Sequence, residues 1–385
     1  MTNLIAQTIR NLPPSGIRRF FDIAAEMDNV ISLGVGEPDF VTPKHIRDEA
    51  ILSLERGQTM YTANSGLIEL RTEISRYMSK HGLSYDPRTQ VLVTVGASED
   101  IDISMRAILN PGDEVLLVEP CFVAYKPCVV MAGGIPVTIP TSAENDFQVT
   151  AADIESRLTP KTKAVMLGYP CNPTGAVLPR KELEAIAGLL RDRELVVISD
   201  EIYSELTYGY EPHVSIASLP GMAEKTIVIN GFSKAFAMTG WRLGFACGPA
   251  EIIAAMTKIH QYVLMCAPTM SQYAGLEALR NGEGDVKAMR KEYDERRRFL
   301  LKQLREMGMD CFEACGAFYL FPSIKRFGLT SEEFCSRLLS EQRLAVVPGS
   351  AFGDSGEGHV RISYAYSVEN IKEALVRLRK FIDSL

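Results

Sequence analysis

Positive charge is in short supply in this 385-residue chain. Its 41 Lys and Arg against 48 Asp and Glu give a formal net charge of −7, and no basic tail or block compensates. That balance argues against a nucleic-acid partner. The eight cysteines show no CxxC pairing, and the only close pair at helical spacing, Cys311 and Cys315, runs straight into a glycine and an apparent strand; free thiols in a reducing cytoplasm are expected. The five histidines, at 45, 81, 213, 260 and 359, form no ligand cluster, so a zinc site has no support. The N-terminus "MTNLIAQTIRNLPPSG" lacks the apolar core and small-residue cleavage site of a signal peptide. The one long stretch without Asp, Glu, Lys or Arg that suggests a membrane helix is Ile259 to Leu276. It contains His260, Gln261, Pro268, Ser271 and Gln272, which marks it as buried protein interior instead. GxGxxG is missing after the first strand and GxxxxGK[ST] is missing everywhere, which speaks against a dinucleotide or a nucleoside triphosphate.

What is present is an ordinary globular composition, 46% hydrophobic and 23% charged, in a chain long enough for two domains. From about residue 90 to 250, apolar runs alternate with amphipathic helix patterns. The runs are "VLVTV" (91–95), "EVLLV" (114–118), "AVMLGY" (164–169), "LVVIS" (195–199) and "TIVIN" (226–230). Being apolar on both faces, they read as strands of a mostly parallel sheet covered by helices, with the ligand at the carboxyl ends. After about residue 278 a long charged helix, "VKAMRKEYDERRRFLLKQLREMG", precedes strands "AFYLFP" (317–322) and "VRISYA" (360–365) that bracket another helix, a smaller α+β domain. The long helix is the expected hinge, and its "DERRRF" cluster (294–299) reads as a solvated face.

Polar groups collect where the strands end. "INGFSKAFAMTGWRLGF" (229–245) sets Lys234 among small uncharged neighbours, either as a surface lysine or as an amine made nucleophilic by partial burial. "VTVGASED" turns from strand into helix, so the first amides, at Ala97 and Ser98, form an anion site or an ordinary turn. Asp200 ends an apolar strand, with Tyr203 three residues on; a carboxylate there is costly unless a cation, a protonated group or a helix cap meets it. Asn172 precedes Pro173 in "CNPTG", where a cis bond would aim its side chain into a cleft and a plain turn would not. Glu119–Pro120 is a second candidate for a cis bond. Arg242 suits a phosphate and Arg361 a carboxylate, each with a surface arginine as the plainer alternative. Together these residues describe one ligand, a phosphorylated aromatic aldehyde with a basic ring nitrogen, and pyridoxal 5′-phosphate fits.

In their order and spacing, "ISLGVGEPDF", "YTANSGLIELR", "VTVGASED", "NPGDEVLL", "CNPTG", "ISDEIY", "NGFSKAFAMTGWRLGF" and "VVPGSAFG…GHVRISYA" resemble the pyridoxal-phosphate aminotransferases of class I/II over essentially the whole chain. The prokaryotic branch of alanine, aspartate, aromatic and acetyl-diaminopimelate enzymes is the most similar. The resemblance implies the fold type I architecture, a large domain on a mostly parallel seven-stranded sheet with a smaller α+β domain. It divides the chain into an N-terminal segment (1–40) that joins the small domain and covers the site, a large cofactor domain (41–278) and a small domain (279–385). "NLPPSGIRRF" would line or cover the pocket. Three residues are implied to be catalytic. Lys234 bonds the cofactor's aldehyde and later moves the α-proton, Asp200 pairs with the ring nitrogen, and Tyr203 joins Asn172 at the ring 3-oxygen. Ala97, Ser98, Ser233 and Arg242 would hold the phosphate, Phe122 would stack on the ring, and Tyr61 would reach the phosphate from the neighbouring subunit of a homodimer. Arg361, Asn172 and the Gly36 amide would hold the substrate's α-carboxylate. Phe122 departs from the Trp or Tyr of many relatives, and Gly231 from a phosphate-binding Ser of some. The implied activity is ping-pong transfer of an α-amino group from an L-amino acid to a 2-oxo acid in the cytoplasm, with no membrane or nucleic-acid partner; a carbon–sulfur β-lyase on the same frame is the alternative.

Overall fold

A computed structural model describes residues 4–14, 27–209 and 211–385. Its strands, in chain order, are β1 (Ile31–Ser32), β2 (Val91–Thr94), β3 (Glu114–Glu119), β4 (Ile135–Pro140), β5 (Thr162–Gly168), β6 (Val196–Asp200), β7 (Thr226–Gly231), β8 (Gly244–Cys247), β9 (Tyr319–Leu320), β10 (Leu344–Ala345), β11 (Val347–Pro348) and β12 (Val360–Ser363). Strands β2 to β8 form a seven-stranded sheet in the order β2-β8-β7-β6-β5-β3-β4. All neighbours run parallel except β8, which is antiparallel to β2 and β7. The expected mostly parallel sheet is therefore present, and its five apolar runs became β2, β3, β5, β6 and β7. The strands not anticipated are the four-residue β8 and the edge strand β4. Pro136 and Pro140 make "IPVTIP" a poor strand by sequence, but β4 pairs only with β3, so one side needs no donors.

The central strands are buried on both faces because helices cover both. One apolar cluster on the β2 side joins Ile46, Leu70, Ile74, Phe232 and Phe245. Others lie on the two faces of β3, β5 and β6. Strands β2, β3, β5, β6 and β7 share one direction, so Thr94, Glu119, Gly168, Asp200 and Gly231 end along a single rim. That rim is where the functional side chains gather.

The remainder forms a second core. Strands β9, β11 and β12 make an antiparallel sheet, and β1 pairs in parallel with β10. Leu300 and Leu304 of the helix Glu283–Glu306 pack there with Phe318, Tyr319, Phe334, Leu338 and Phe381. Two expectations are corrected. Arg296 and Arg297 of "DERRRF" are buried, because Arg296 pairs with Asp39 and Glu292 and Arg297 with Asp294 and Glu313. In the uncharged stretch Ile259–Leu276, Ser271, Gln272, Ala274 and Gly275 are buried, yet Tyr262 is 83% and Val263 68% exposed in the single chain. No described helix is long and apolar enough to cross a membrane. "NLPPSGIRRF" falls largely outside the described residues.

Candidate active site

Three residues past β7, Lys234 reaches into a cavity of about 720 Å³ along the rim. Its Nζ donates to the Gly36 carbonyl at 2.6 Å. Burial draws its pKa down to about 8; Glu37 and Asp200 oppose that shift, while Arg361 and Arg242 add to it. A neutral, nucleophilic amine is thereby within reach at mild pH. Of the two readings of this lysine, the surface one is excluded.

Asp200 ends β6 and is buried. The Tyr125 hydroxyl donates to its Oδ2 at 2.7 Å and the Ile202 amide to Oδ1 at 3.2 Å. Burial raises its pKa, and those two bonds offset the rise only in part. The carboxylate is thus short of positive charge, and it opens on the cavity. Tyr203 follows, its hydroxyl 2.8 Å from that of Tyr319.

Opposite them, buried Arg361 on β12 donates through Nη1 to Asn172 Oδ1 at 2.7 Å and through Nη2 to the Gly34 carbonyl at 2.5 Å. Its guanidinium lies 4.5 Å from the Tyr319 ring centre and 4.8 Å from that of Phe352. Nε has no partner among the described residues, although it is buried. Arg361 lines the cavity, and a guanidinium there is suited to a carboxylate. The Asn172–Pro173 and Glu119–Pro120 bonds are cis, as anticipated, and so is Tyr169–Pro170, which was not.

At the other end, β2 turns through Gly96 into the helix Ala97–Ile108. Gly96 has φ 90°, and a Cβ on it would lie 2.9 Å from Arg242 Nη2. A Cβ on Gly244 would come within 2.7 Å of the Gly96 and Ala97 backbone. Both glycines allow the close approach that brings the helix start, β8 and Arg242 together. No side chain caps this helix, so the Ala97 and Ser98 amides remain open for an anion. Arg242 donates Nη1 to the Thr239 carbonyl at 3.0 Å and Nη2 to that of Val95 at 3.4 Å.

The cavity lining includes Gly36, Ala97, Ser98, Phe122, Asn172, Asp200, Tyr203, Ser233, Lys234, Arg242 and Arg361. Tyr61 is the exception among the anticipated residues, at 78% exposed on its own chain and away from that cavity. Sequence reasoning missed Tyr125, Tyr319, Glu37 and Thr239, which also line it. Thr239 donates its hydroxyl to Glu37. Glu37 stood inside the motif "ISLGVGEPDF", whereas Tyr125 and Tyr319 carried no signal beyond an aromatic among apolar neighbours. Among the described residues no cluster of His, Cys, Asp and Glu is arranged to hold a metal.

A half-buried lysine thus stands between a carboxylate and two arginines at the strand ends of an α/β sheet, and the chain as a whole is similar to known proteins. The family model for class I and II aminotransferases matches residues 28–378. Over 372 residues the chain is 50% identical to an aspartate aminotransferase of Pyrococcus abyssi, covering 96% of each. Over 381 residues it is 45% identical to aromatic-amino-acid aminotransferase 2 of Thermococcus litoralis, covering 98% of each. Among solved structures, an aromatic aminotransferase from Pyrococcus horikoshii OT3 superposes with a TM-score of 0.91 at 46% identity, over 96% of this chain and 99% of that one. The chain belongs to the class I and II aminotransferases. It is a transaminase, acting between amino acids and 2-oxo acids, and the comparisons favour that reaction over the lyase alternative.

Proposed function

We propose that the cavity binds pyridoxal 5′-phosphate and that the chain works as a cytoplasmic homodimer by a ping-pong cycle. The observation that carries this reading is Lys234, a half-buried amine whose pKa is drawn down to about 8, in one cavity with Asp200, Arg242 and Arg361. The residues fit the cofactor by charge and by shape. An uncapped helix start and Arg242 suit its phosphate, under-compensated Asp200 suits a protonated ring nitrogen, and the guanidinium of Arg361 in the cavity lining suits a substrate carboxylate.

When bound, the cofactor supplies an aldehyde that takes up the amino group and a ring that draws electron density from the substrate's α-carbon. The protein's residues do the rest. Ala97 and Ser98 amides, Ser233 and Arg242 hold the phosphate, and Phe122 covers one face of the ring. Asp200 keeps a proton on the ring nitrogen, while Asn172 and Tyr203 donate to the 3-oxygen. Arg361, Asn172 and the Gly36 amide fix the α-carboxylate. Lys234 would be the base that removes the substrate's α-proton; a base so placed contributes about 10²–10⁴-fold. Segment 1–40 serves as cover, 41–278 as the cofactor domain and 279–385 as the small domain.

A homodimer is supported by an exposed apolar face on the single chain. Met60 is 81% exposed beside Tyr61, and Tyr262 and Val263 are exposed as well. Thr269 donates to the Met60 carbonyl and Asn64 to that of Met265, each at 2.8 Å, tying the two segments together. In a two-fold pairing Tyr61 of the partner subunit would complete each phosphate site. Relatives named for aspartate and for aromatic substrates leave the donor open. The deciding experiment screens amino donors against 2-oxoglutarate and pyruvate with the purified protein, which should be yellow. Turnover without any 2-oxo acid, or none in the presence of both, would count against the proposal.

A further inference from the structure

Behind the phosphate end of the cavity lies a polar chain that the transamination chemistry leaves unused. His260, on the helix Ala250–Val263, is fully buried. Its Nδ1 lies 2.5 Å from Glu99 Oε1. The other oxygen of that carboxylate, Oε2, accepts the Val95 amide at 2.6 Å. The Val95 carbonyl accepts Arg242 Nη2 at 3.4 Å. An ionised carboxylate can only accept, so Nδ1 carries the proton it donates. His260 Nε2 has no partner among the described residues, so this contact is the ring's one hydrogen bond there.

Two features make the chain more than packing. First, the residue that it grips, Val95, stands just before the Gly96 turn into the helix that presents its amides to the cavity: its N–H, in the Thr94–Val95 peptide, is held by Glu99, and its carbonyl, in the Val95–Gly96 peptide, accepts from Arg242. Gly96 at φ 90° has little conformational preference of its own, so bonds from outside must hold the turn. Second, Glu99 and Asp100 put two acids in the first turn of a helix meant to receive an anion. Burial pushes the Asp100 pKa well up, and Thr94 donates to it at 2.8 Å. Glu99 is kept in place by the Val95 amide on one side and by His260 on the other. Without His260 a carboxylate would be left half-satisfied next to Arg242 and the open amides, competing for the donors a phosphate needs.

We propose that His260 is a positioning residue for the cofactor's phosphate: through Glu99 it fixes the backbone of Val95 ahead of the Gly96 turn, which sets Arg242 and the amides of Ala97 and Ser98. The inference rests on the cofactor reading given above.

The test titrates the full-length, cofactor-free chain with pyridoxal 5′-phosphate and separately with pyridoxal, which lacks the phosphate. The readout is the fluorescence of Trp241, the chain's one tryptophan and the neighbour of Arg242. If the unaltered chain shows no preference for the phosphorylated ligand, the cofactor reading falls and this inference falls with it. Given that preference, His260→Leu should weaken pyridoxal 5′-phosphate about tenfold, the effect of one hydrogen bond to a charged group, and leave pyridoxal unchanged. His260→Ala removes the donor without filling the space and should do the same, which keeps the test available if leucine disturbs folding. His260→Asn, whose amide nitrogen stands where Nδ1 stood, should restore the phosphate preference. Equal weakening of both ligands, weakening of neither, or no rescue by asparagine overturns the proposal.

Discussion

Two carboxylates stand next to each other at the end of β6 and are treated in opposite ways. Glu201 accepts from Ser215 at 2.6 Å, Ser199 at 2.8 Å and the His213 ring at 2.9 Å, all on the side away from the cavity. Burial by itself would raise its pKa, but the His213 charge and these bonds hold it below the usual carboxylate value. Asp200, on the cavity side, has one hydroxyl and one amide, and its pKa stays raised. Successive strand residues face opposite ways, so one residue's difference in position decides which carboxylate is supplied with partners. The supplied one serves the fold. The undersupplied one costs stability in the free protein and is the one left for a ligand.

The largest effect that tests this contrast lies on the ligand side. Lys234→Ala should abolish transamination, a loss of at least about 10²–10⁴-fold, and remove any covalent capture of an aldehyde as read by mass spectrometry. Multiple turnovers in that variant without added amine would show that another residue does the work. Next comes Asp200→Asn, which keeps the shape but not the charge. It should lower turnover by about 10²–10³-fold. Because the folded pKa of Asp200 is raised, its charge weakens the fold at pH values above the ordinary carboxylate range. Cofactor-free Asp200→Asn should therefore melt no lower than its parent at neutral pH, and a lower melting temperature would refute the undersupplied reading.

Glu201→Gln should show the reverse pattern. Its folded pKa is depressed, so its stabilisation is present above the unfolded carboxylate value and fades as pH falls through the folded one. The variant should be about 1–3 kcal/mol less stable at neutral pH, with the deficit shrinking in acid, and the folded fraction should turn over near the parental rate. Denaturant titrations at neutral and acid pH check this. If Glu201→Gln cuts turnover as deeply as Asp200→Asn, the two sides of β6 are not separate in role.

That contrast was not legible in "ISDEIY", where the two acids look alike. Buried parallel strands were legible because burial on both faces writes a continuous apolar run, as in β3 and β7. β8 is four residues long and β4 contains prolines that only an edge position tolerates, so neither stood out. Lys234, Asn172, Arg242 and Arg361 were visible as polar residues at strand ends or within motifs. Tyr125 and Tyr319 were not, since their hydroxyl partners come from distant segments. Arg296 and Arg297 misled for the same reason. A run of charge reads as solvated unless Asp39 and Glu313, far away in sequence, are known to meet it. Tyr262 and Val263 misled in the other direction, because an uncharged stretch reads as interior even where individual side chains of it face outward.

The smallest expected effect concerns Glu37, which lines the cavity with Lys234 and Asp200 and adds to the negative charge acting on the lysine. Glu37 is exposed, accepts from Thr239 and opposes the burial that lowers the Lys234 pKa. The neutral fraction of Lys234 grows as pH rises and reaches half near 8. Removing a negative charge destabilises the ammonium, so in Glu37→Gln that midpoint should move to lower pH. Glu37 itself is exposed, and water screens its charge, which limits the shift to roughly 0.5 unit. The measurement is the rate of aldehyde capture by Lys234 across pH, trapped by reduction and quantified by mass, in parent and variant at low and high salt. The shift should shrink at high salt as the pair is screened. A shift to higher pH would mean that Glu37 acts on the lysine through position instead of charge, for instance by releasing the Gly36 carbonyl from Nζ, and the electrostatic account of this residue would be wrong.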